Sequence, residues 1–344
     1  MPISASTRKL FTQCKVLGSG SGKVVLSDSE LFSLLHIAIV NLSWADFQKN
    51  IPSLSVPLPS NDYYQIPLDW CQQQVKPPTS SSLLQLLSDA IQVDIDFGLF
   101  YYNLCSLHKR RLKYQRILSQ QPKPSMNQIG PRSLIEYGMT DTEFLHSWMI
   151  WRKWIFDIDN RVAQETGYLF EPILASCLGG ESVGARNSPI KRLDTNGQPT
   201  HQGRQIDCYI GHSNLAYELK LRVTLAASGQ GRFSEELSFP KECRAAGLTP
   251  VLLVLDSTPS NKLDELSESF VVSGGQVYIG DDAWNHMEVQ AGTIMSVFLE
   301  QYIRPPLQTM GQIGSNSIQD LTLNWRDESI MISGNGTQYV FSRS

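Results

Sequence analysis

The sequence predicts a mixed α/β (α+β) fold in which a mixed sheet is flanked by helices. The middle of the chain alternates helical periodicity with short apolar runs typical of strands. The first 145 residues carry amphipathic helical stretches, and the tail carries short strand-like runs around a Gly334-Asn335-Gly336 turn. We therefore predict a helical N-terminal region (1–145), a mixed-sheet core (146–310) and a small β appendage (311–344).

The N-terminal region is predicted to be helical because apolar residues recur at helical spacing in residues 29–45 and 81–118. Loops rich in proline and serine, at 52–59 and 76–82, separate these stretches. The segment 120–132 contains three prolines and a glycine, and it marks the predicted boundary with the core.

The core is predicted to alternate helices with strands that are short and apolar. In chain order the predicted elements are a helix (148–178), two strands (204–210 and 215–224), a helix (234–246), a strand (250–255), a helix (261–272), a strand (276–279) and a helix (283–302). The predicted strands of the tail are residues 321–325, 330–333 and 338–341.

Composition and charge limit the class of protein. The chain of 344 residues is long enough for two domains, and its hydrophobic fraction of 41% is enough for each to bury a core. The formal charge of -4 excludes a protein that coats polyanions through its overall charge, so any DNA binding must be local. The run at 108–116 is basic and contains no acid. It is interpreted either as the solvated face of one long helix or as a surface that contacts phosphates.

Signals typical of several other classes are missing from the sequence. The six cysteines form no CxxC pair and no cluster with histidine, so we predict neither disulfides nor a zinc site, which fits a reduced cytoplasm. The basic N-terminus is not followed by an apolar segment, and we expect no signal peptide and no membrane span. The glycine-rich run 18–23 lacks the first glycine and the Ser/Thr of a Walker loop, so we interpret it as a flexible turn.

One segment gathers charged residues in a way that folding alone does not require. Two strand-like runs flank the four-residue turn 211–214. If the residues next to the turn pair with each other, Asp207 lies directly opposite Glu218, with Cβ atoms roughly 5 Å apart. The alternation of strand side chains then puts Lys220 on the same face, while the other face is almost wholly apolar.

These residue types suit phosphodiester hydrolysis. Two converging carboxylates fit Mg²⁺, which takes few protein carboxylates and completes its shell with waters and phosphate oxygens. Hydrolysis also needs an oriented or deprotonated water and a cation that offsets transition-state charge, and Lys220 could supply either. Asp207 and Glu218 are therefore candidate metal ligands and, with Lys220, candidate catalytic residues. The Glu218-Leu219-Lys220 tripeptide is the only acid-X-lysine sequence in the chain. The alternative is an ordinary salt bridge on a solvated strand face.

A further metal ligand is expected from the helix that precedes the hairpin. Glu171 lies among apolar residues, where a carboxylate needs a partner, so it is the candidate. Glu165 is the competing choice, and an exposed helix acid without a role is the alternative.

Two glycine-rich segments beside the hairpin, 179–192 and 226–233, contain arginine together with asparagine or glutamine. Arginine pairs with guanine, asparagine and glutamine pair with adenine, and lysine contacts phosphate. The candidate DNA-binding residues, including two arginines of the hairpin itself, are Arg186, Asn187, Lys191, Arg192, Arg204, Arg222, Gln230 and Arg232. The alternative is a pair of flexible loops with incidental charge.

The stretch from about residue 179 to 307 resembles the ApaLI-type type II restriction endonucleases of the PD-(D/E)XK nuclease superfamily. The resemblance lies in four short sequences, which are Arg204-Gln205-Ile206-Asp207-Cys208-Tyr209, Glu218-Leu219-Lys220-Leu221-Arg222-Val223-Thr224, Ser228-Gly229-Gln230-Gly231-Arg232 and Ala283-Trp284. It implies a restriction-endonuclease-like core, Mg²⁺, cleavage of double-stranded DNA at a short palindromic site such as GTGCAC, and a homodimer whose twofold axis mirrors that site. Ile206 stands where the proline of the motif name would be, a position that is loose in the superfamily.

We expect in-line attack of a water on the scissile phosphorus, leaving a 5′-phosphate and a 3′-hydroxyl. A host of such an enzyme would need a DNA methyltransferase acting on the same site. Two other functions stay open, namely a PD-(D/E)XK nuclease of repair or recombination and a catalytically inactive DNA-binding protein of the same fold. Sequence-specific cutting of plain duplex distinguishes a restriction endonuclease from both.

Overall fold

The chain divides into two compact units. The computed structural model describes residues 3–18, 23–221, 229–256, 258–312 and 320–343. One unit comprises Met1–Tyr168 and Pro305–Ser344, and the other comprises Leu169–Arg304. The unit boundaries therefore lie at 168/169 and 304/305, whereas the domain boundaries near 145 and 310 stay predictions from composition.

The first unit is mainly helical, as predicted. Its elements before the boundary are helices α1 (Ala5–Lys15), α2 (Asp28–Asn41), α3 (Ala45–Gln48), α4 (Ser80–Val93), α5 (Phe97–Gln120), α6 (Met126–Ser133) and most of α7 (Thr142–Cys177), with strands β1 (Val16–Leu17) and β2 (Val24–Val25). Helix α2 begins with a capping box between Ser27 and Glu30 and is buried on nearly all sides, as expected of a helix that is apolar around its whole circumference. The predicted helical stretch 81–118 is two helices, because the backbone is extended at Asp94.

The acid-free basic run lies on α5 and is largely engaged inside this unit. His108 and Lys109 are buried, and Lys109 Nζ donates to main-chain carbonyls of residues 13 and 16. Arg110 and Lys113 form ion pairs with Glu165 of α7. A solvated helix face and a phosphate-contacting surface were therefore both wrong interpretations for most of this run. Its buried cations have partners inside the unit, as buried cations need. Only residues 114–116 of the run are exposed.

The second unit contains the mixed sheet. Its strands are β3 (Glu181–Val183), β4 (Lys191–Leu193), β5 (Pro199–Gly203), β6 (Ile206–Ile210), β7 (Leu215–Lys220), β8 (Thr249–Val254) and β9 (Gln276–Ile279). Its helices after α7 are α8 (Gly229–Ala245), α9 (Asn261–Val272), α10 (Asp281–Gln290) and α11 (Gly292–Phe298), followed by a π-helical turn at Leu299–Ile303. Within the described residues the central sheet has the order β3-β6-β7-β8-β9, and β4 pairs with β5 as a separate ribbon.

Strand direction changes in the middle of the central sheet. Strands β3, β6 and β7 are antiparallel neighbours, whereas β7, β8 and β9 run parallel and are linked through α8 and α9. Four consecutive residues of β8, 251–254, are completely buried, as is usual for a parallel strand covered on both faces. Phe239 and Cys243 of α8 and Phe270 of α9 pack in one core cluster with Leu252 and Val254 of β8. The predicted mixed sheet flanked by helices is confirmed.

Some predicted elements of the core differ from the structure. Strands β3, β4 and β5 were missed, because they are short and polar and carry no apolar alternation. The predicted helix 283–302 is interrupted at Gly292, whose φ of +66° is the left-handed conformation that glycine adopts at little cost.

The tail packs against the helices of the first unit. After α12 (Arg304–Gln312), strands β10 (Leu321–Arg326), β11 (Ser329–Gly334) and β12 (Thr337–Ser342) form an antiparallel sheet with the predicted turn between β11 and β12. Ile330 is completely buried in a cluster with Trp154 of α7 and Ile117 and Leu118 of α5.

None of the described helices combines the length and the apolar character needed to cross a membrane.

Candidate active site

The predicted hairpin forms the centre of the site. Ile210 pairs with Leu215, and Asn214 closes the turn in the left-handed conformation, with φ 54°. The strand pairing runs from Ile210–Leu215 to Cys208–Tyr217, and Asp207 and Glu218 are the next residues beyond it on the two strands. Beyond the last strand pair, the two strands are joined by a side chain: the Leu219 main-chain N–H donates to Asp207 Oδ2 at 3.0 Å.

The lysine of the tripeptide is held between two carboxylates. Lys220 Nζ donates to Glu218 Oε1 at 2.8 Å and to Glu236 Oε1 of α8 at 3.0 Å. All three side chains are mostly buried, with exposed fractions of 18%, 12% and 13% for Lys220, Glu218 and Glu236. Charge-assisted hydrogen bonds of this kind are stronger when water is excluded, so the ammonium has a fixed position.

Glu236 was not predicted from the sequence, although a signal was present. It lies three and seven residues before Phe239 and Cys243, both completely buried against the sheet. Residues at that spacing share one face of a helix, so Glu236 had to point toward the strands.

These residues line a cleft of about 240 Å³ in the second unit. Five carboxylates and three cations surround it, and they are Glu171, Asp207, Glu218, Glu235, Glu236, Arg192, Arg204 and Lys220. Glu171, the further metal ligand predicted from the sequence, is thus on the cleft. Its competitor Glu165 is paired with Arg110 and Lys113 in the first unit. The excess of negative charge makes the cleft a favourable environment for a cation.

The electrostatics of Asp207 and Lys220 follow from this arrangement. Burial raises the pKa of the Asp207 carboxyl well above its ordinary value, and the charges of Glu218 and Glu171 raise it further. Burial lowers the pKa of the Lys220 ammonium, but Glu218 and Glu236 outweigh that effect and hold the pKa above its ordinary value. In this arrangement Lys220 is a cation, and Asp207 is a carboxyl whose negative charge lacks sufficient compensation.

The donor set fits a hard divalent cation. Oxygen ligands from carboxylates are what Mg²⁺ and similar ions take. Burial, together with the charges of Glu218 and Glu171, raises the pKa of Asp207, and a cation bound nearby would oppose that effect. Among the described residues no three acidic, histidine or cysteine side chains already converge as a complete metal-binding group. The carboxylates that would hold the ion are Asp207, Glu218 and Glu171, with Glu218 also bonded to Lys220.

The predicted DNA-binding residues differ in their surroundings. Arg186 and Asn187 are exposed on a 3-10 turn at Ala185–Asn187. Arg192 lines the cleft and pairs with Glu235 at 3.1 Å. Lys191 is half-buried, and its Nζ donates to the carbonyl of residue 188. These four stay predicted DNA contacts, and Arg192 is the one that lines the cleft.

Arg204 is the predicted contact whose surroundings differ most from an exposed DNA-binding side chain. Its guanidinium is 8% exposed, lies 3.3 Å from Glu242 and donates to the main-chain carbonyl of Glu235 at 2.7 Å. It also lies over the Phe239 ring. The structure therefore gives Arg204 a role in joining the hairpin to α8. Arg222 lies outside the described residues, and so do the side chains of Gln230 and Arg232.

Comparisons with known proteins agree on one class. A family model for the ApaLI-like restriction endonucleases matches residues 60–304. The chain is 41% identical over 340 residues to the type II restriction enzyme ApaLI of Acetobacter pasteurianus. The alignment covers 93% of this chain and 89% of that protein. No solved structure matches the chain.

The family match and the relative show the class of this protein, a restriction endonuclease, which is a site-specific deoxyribonuclease. The mixed sheet flanked by helices agrees with that class. Within that class, the chain belongs to the ApaLI-like restriction endonuclease family. The resemblance seen in residues 179–307 is thereby confirmed. The family model extends it to residue 60, and the similarity to the relative covers 93% of the chain. Restriction endonucleases generally use a divalent metal ion.

Proposed function

We propose that this chain uses Mg²⁺ to cut double-stranded DNA at a short palindromic site resembling GTGCAC, leaving 5′-phosphates. The observation that carries the proposal is the shared position of Asp207, Glu218 and Lys220 on one cleft, at the end of a hairpin fixed by its register. The family relationship supports the class of reaction, and the resemblance of the sequence to ApaLI-type enzymes supports the type of site.

In the proposed mechanism Asp207, Glu218 and Glu171 would hold the metal ion. Mg²⁺ bound there would supply positive charge at the scissile phosphate and make a nearby water more acidic. Asp207 Oδ2 is kept in place by the Leu219 N–H, so the orientation of this carboxylate is set by the strand itself. The cleft walls exclude most bulk water from these groups, which strengthens their interaction with the phosphate.

Lys220 orients the attacking water and offsets negative charge in the transition state. Its ammonium has two carboxylate partners, and both favour the charged form. Glu218 would be shared between Lys220 and the metal ion, whereas Glu236 is a carboxylate partner of Lys220 alone in this proposal. We therefore assign Glu236 as a positioning residue that acts through Lys220.

A palindromic site and one carboxylate-lined cleft among the described residues of the chain favour a homodimer. One cleft can reach one strand at a time, so two copies related by a twofold axis would cut both strands of a symmetric site. The proposed DNA contacts are Arg192, which lines the cleft, and Arg186, Asn187 and Lys191, which precede it in the chain. Arg222, Gln230 and Arg232 remain proposed contacts from the sequence. A methyltransferase that protects the same site in the host is the second implied partner.

The test is incubation of the purified protein with plasmid DNA, with and without Mg²⁺. The wild-type chain should give discrete Mg²⁺-dependent bands whose ends map to one palindrome. The Lys220→Ala variant should lose the bands, while Lys241→Ala, an exposed lysine on α8, should keep them. A smear in place of bands would overturn the restriction activity in favour of structure-directed cutting. Sequence-selective binding without any cutting would leave only the DNA-binding alternative.

A further inference from the structure

The ribbon formed by β4 and β5 has one end at the cleft and a turn exposed to solvent at the other end. Arg192 of β4 lines the cleft, and so do Arg204 and Gln205, which follow directly after β5. At the other end, residues 194–199 are all exposed, and the ribbon is not part of the central sheet. One end of the ribbon therefore belongs to the site of the chemistry, and the other end projects away from it.

The base of the ribbon is fixed to its surroundings. The Leu193 N–H donates to Glu242 of α8 at 3.4 Å, and Arg192 pairs with Glu235 of the same helix. Gly203 lies against the turn at Ala185–Asn187 so closely that an added Cβ would come within 1.8 Å of the Ala185 carbonyl oxygen. These contacts hold the ribbon and the exposed Arg186 turn in one fixed arrangement.

The tip is an ordered turn whose only acid is engaged by the main chain. Asp194 Oδ1 accepts hydrogen bonds from the N–H groups of Asn196 and Gln198, both at 2.8 Å. Gly197 has a φ of +75°, which the turn requires. Between residues 184 and 203 there are three basic side chains and one acidic side chain, so this surface is complementary in charge to a polyanion.

The exposed side chains of the ribbon are suited to reading bases. Asn196, Gln198 and Gln202 are exposed and carry both hydrogen-bond donors and acceptors. The pairing of β4 with β5 is irregular, and the Gln202 N–H donates to Thr200 Oγ1 on its own strand. Irregular pairing of this kind redirects side chains. Amides of this type pair bidentately with adenine, and a two-stranded ribbon fits the major groove of B-DNA.

We propose that the β4–β5 ribbon enters the major groove next to the scissile phosphate and that Asn196, Gln198 and Gln202 read base edges there. Gly197 is five residues beyond Arg192. At about 3.3 Å a residue, the ribbon reaches up to roughly 15 Å from the cleft wall, farther than the groove depth of about 8.5 Å. The inference rests on the proposed function, because it requires the phosphate backbone to lie in the cleft while the ribbon reads the neighbouring bases.

The first experiment measures discrimination between DNA sequences by the full-length chain. The affinities for a duplex with the site mapped from wild-type digestion and for a scrambled duplex are compared without Mg²⁺, for wild type and for the Gln198→Ala/Gln202→Ala double variant. The variant should lose about tenfold or more of the discrimination, with affinity for the scrambled duplex within about twofold of wild type. Because the removed side chains are uncharged, the salt dependence of binding should not change.

Matched controls separate this effect from a loss of structure. Asn285→Ala and Gln290→Ala replace exposed amides on α10, and they should leave discrimination unchanged. Unchanged discrimination in the ribbon variant would overturn the inference, while a wild-type chain that neither cuts nor discriminates would instead overturn the proposed function. Equal losses of affinity for both duplexes would also overturn the inference, since they would assign the ribbon to sequence-independent binding.

A second experiment uses the burial of the native thiols. All six cysteines are buried, so a Gln198→Cys variant presents one exposed thiol to a maleimide reagent. The site duplex should slow its alkylation severalfold more than a scrambled duplex does, whereas Gln290→Cys should react equally with either duplex. Equal reactivity of the Gln198→Cys thiol with both duplexes would contradict insertion of the ribbon at the recognition site.

Discussion

Lys220 on β7 and Glu236 on α8 are joined by a hydrogen bond of 3.0 Å between Nζ and Oε1. The bond links the strand of the tripeptide to the helix that carries the chain from β7 to β8. It gives Lys220 an anionic partner that is separate from the proposed metal ligands, and it makes the position of the ammonium depend on the packing of α8.

Replacement of Glu236 should therefore affect turnover more than binding. We expect Glu236→Ala to lower kcat at least about tenfold with little change in KM. The variant leaves Lys220 less firmly positioned, and Lys220 is proposed to act in the chemical step that follows DNA binding. Glu236→Gln should recover part of the activity, since its amide oxygen can still accept from the ammonium. Steady-state cleavage of a short duplex measures both constants, and the exposed Glu268→Gln is the control. A rise in KM alone would contradict a positioning role.

Asp207→Asn should abolish cleavage and increase stability in the absence of metal. The asparagine oxygen can still accept from the Leu219 N–H, while the charge that faces Glu218 and Glu171 is removed. We expect the Tm in EDTA to rise by about 2–4 °C, which corresponds to about 1 kcal/mol for a unit of this size. Mg²⁺ should raise the Tm of wild type but not of the variant. The control is Asp264→Asn at an exposed position, which should have the Tm of wild type both in EDTA and with Mg²⁺. A Tm of Asp207→Asn below that of wild type in EDTA would contradict the electrostatic account.

Gly203→Ala should destabilise the second unit through a steric clash. The new Cβ would lie 1.8 Å from the Ala185 carbonyl oxygen, and a main-chain atom cannot move aside as a flexible side chain can. Overpacking of this kind costs about 1–3 kcal/mol. Gly184→Ala is the matched control, because an added Cβ there meets nothing within 4 Å. Urea unfolding of both variants would measure the difference, and equal free energies of unfolding would rule out the tight packing at residue 203.

The first unit should lose stability in acid through Glu30. Burial raises the pKa of this carboxyl, but His108, the Ser27 N–H and Gln72 outweigh burial and lower the pKa to about 2. A lowered pKa in the folded state contributes stability above the unfolded value of about 4.3, and that stability is lost as the pH falls from about 5 to about 2. Glu30→Gln should therefore cost roughly 2 kcal/mol at pH 7, after allowance for solvent screening, and much less near pH 2. Free energies of unfolding at several pH values, with the exposed Glu328→Gln as control, would show whether the difference shrinks in acid.

The hairpin of the site could be predicted because its information is local. A four-residue turn fixes the pairing of Ile210 with Leu215, and the period of two along each strand then decides which side chains share a face. The face of Asp207, Glu218 and Lys220 follows from those two facts. Long elements with strong periodicity, such as α7 and α9, were predicted nearly at their observed bounds for the same reason.

Face assignments failed where the strand ends. Alternation predicts that Ile206 shares the face of Cys208, yet Ile206 packs in the cluster that contains Ala216 and Leu252. The pairing of β3 with β6 shifts register next to this residue, and a bulge of that kind depends on the partner strand. Strand β3 is short and polar, so neither the strand nor the shift was visible in the sequence.

The sequence by itself determined which residues are proposed for the chemistry, because strand period and turn length are properties of neighbouring residues. Only the tertiary structure decided which other groups meet them: Glu236 reaches Lys220, Glu171 rather than Glu165 lies on the cleft, and Arg204 is buried against α8. These contacts join residues tens of positions apart. They depend on how α8 packs across the parallel strands and where α7 ends, and packing energy between distant elements leaves no periodic pattern in the chain.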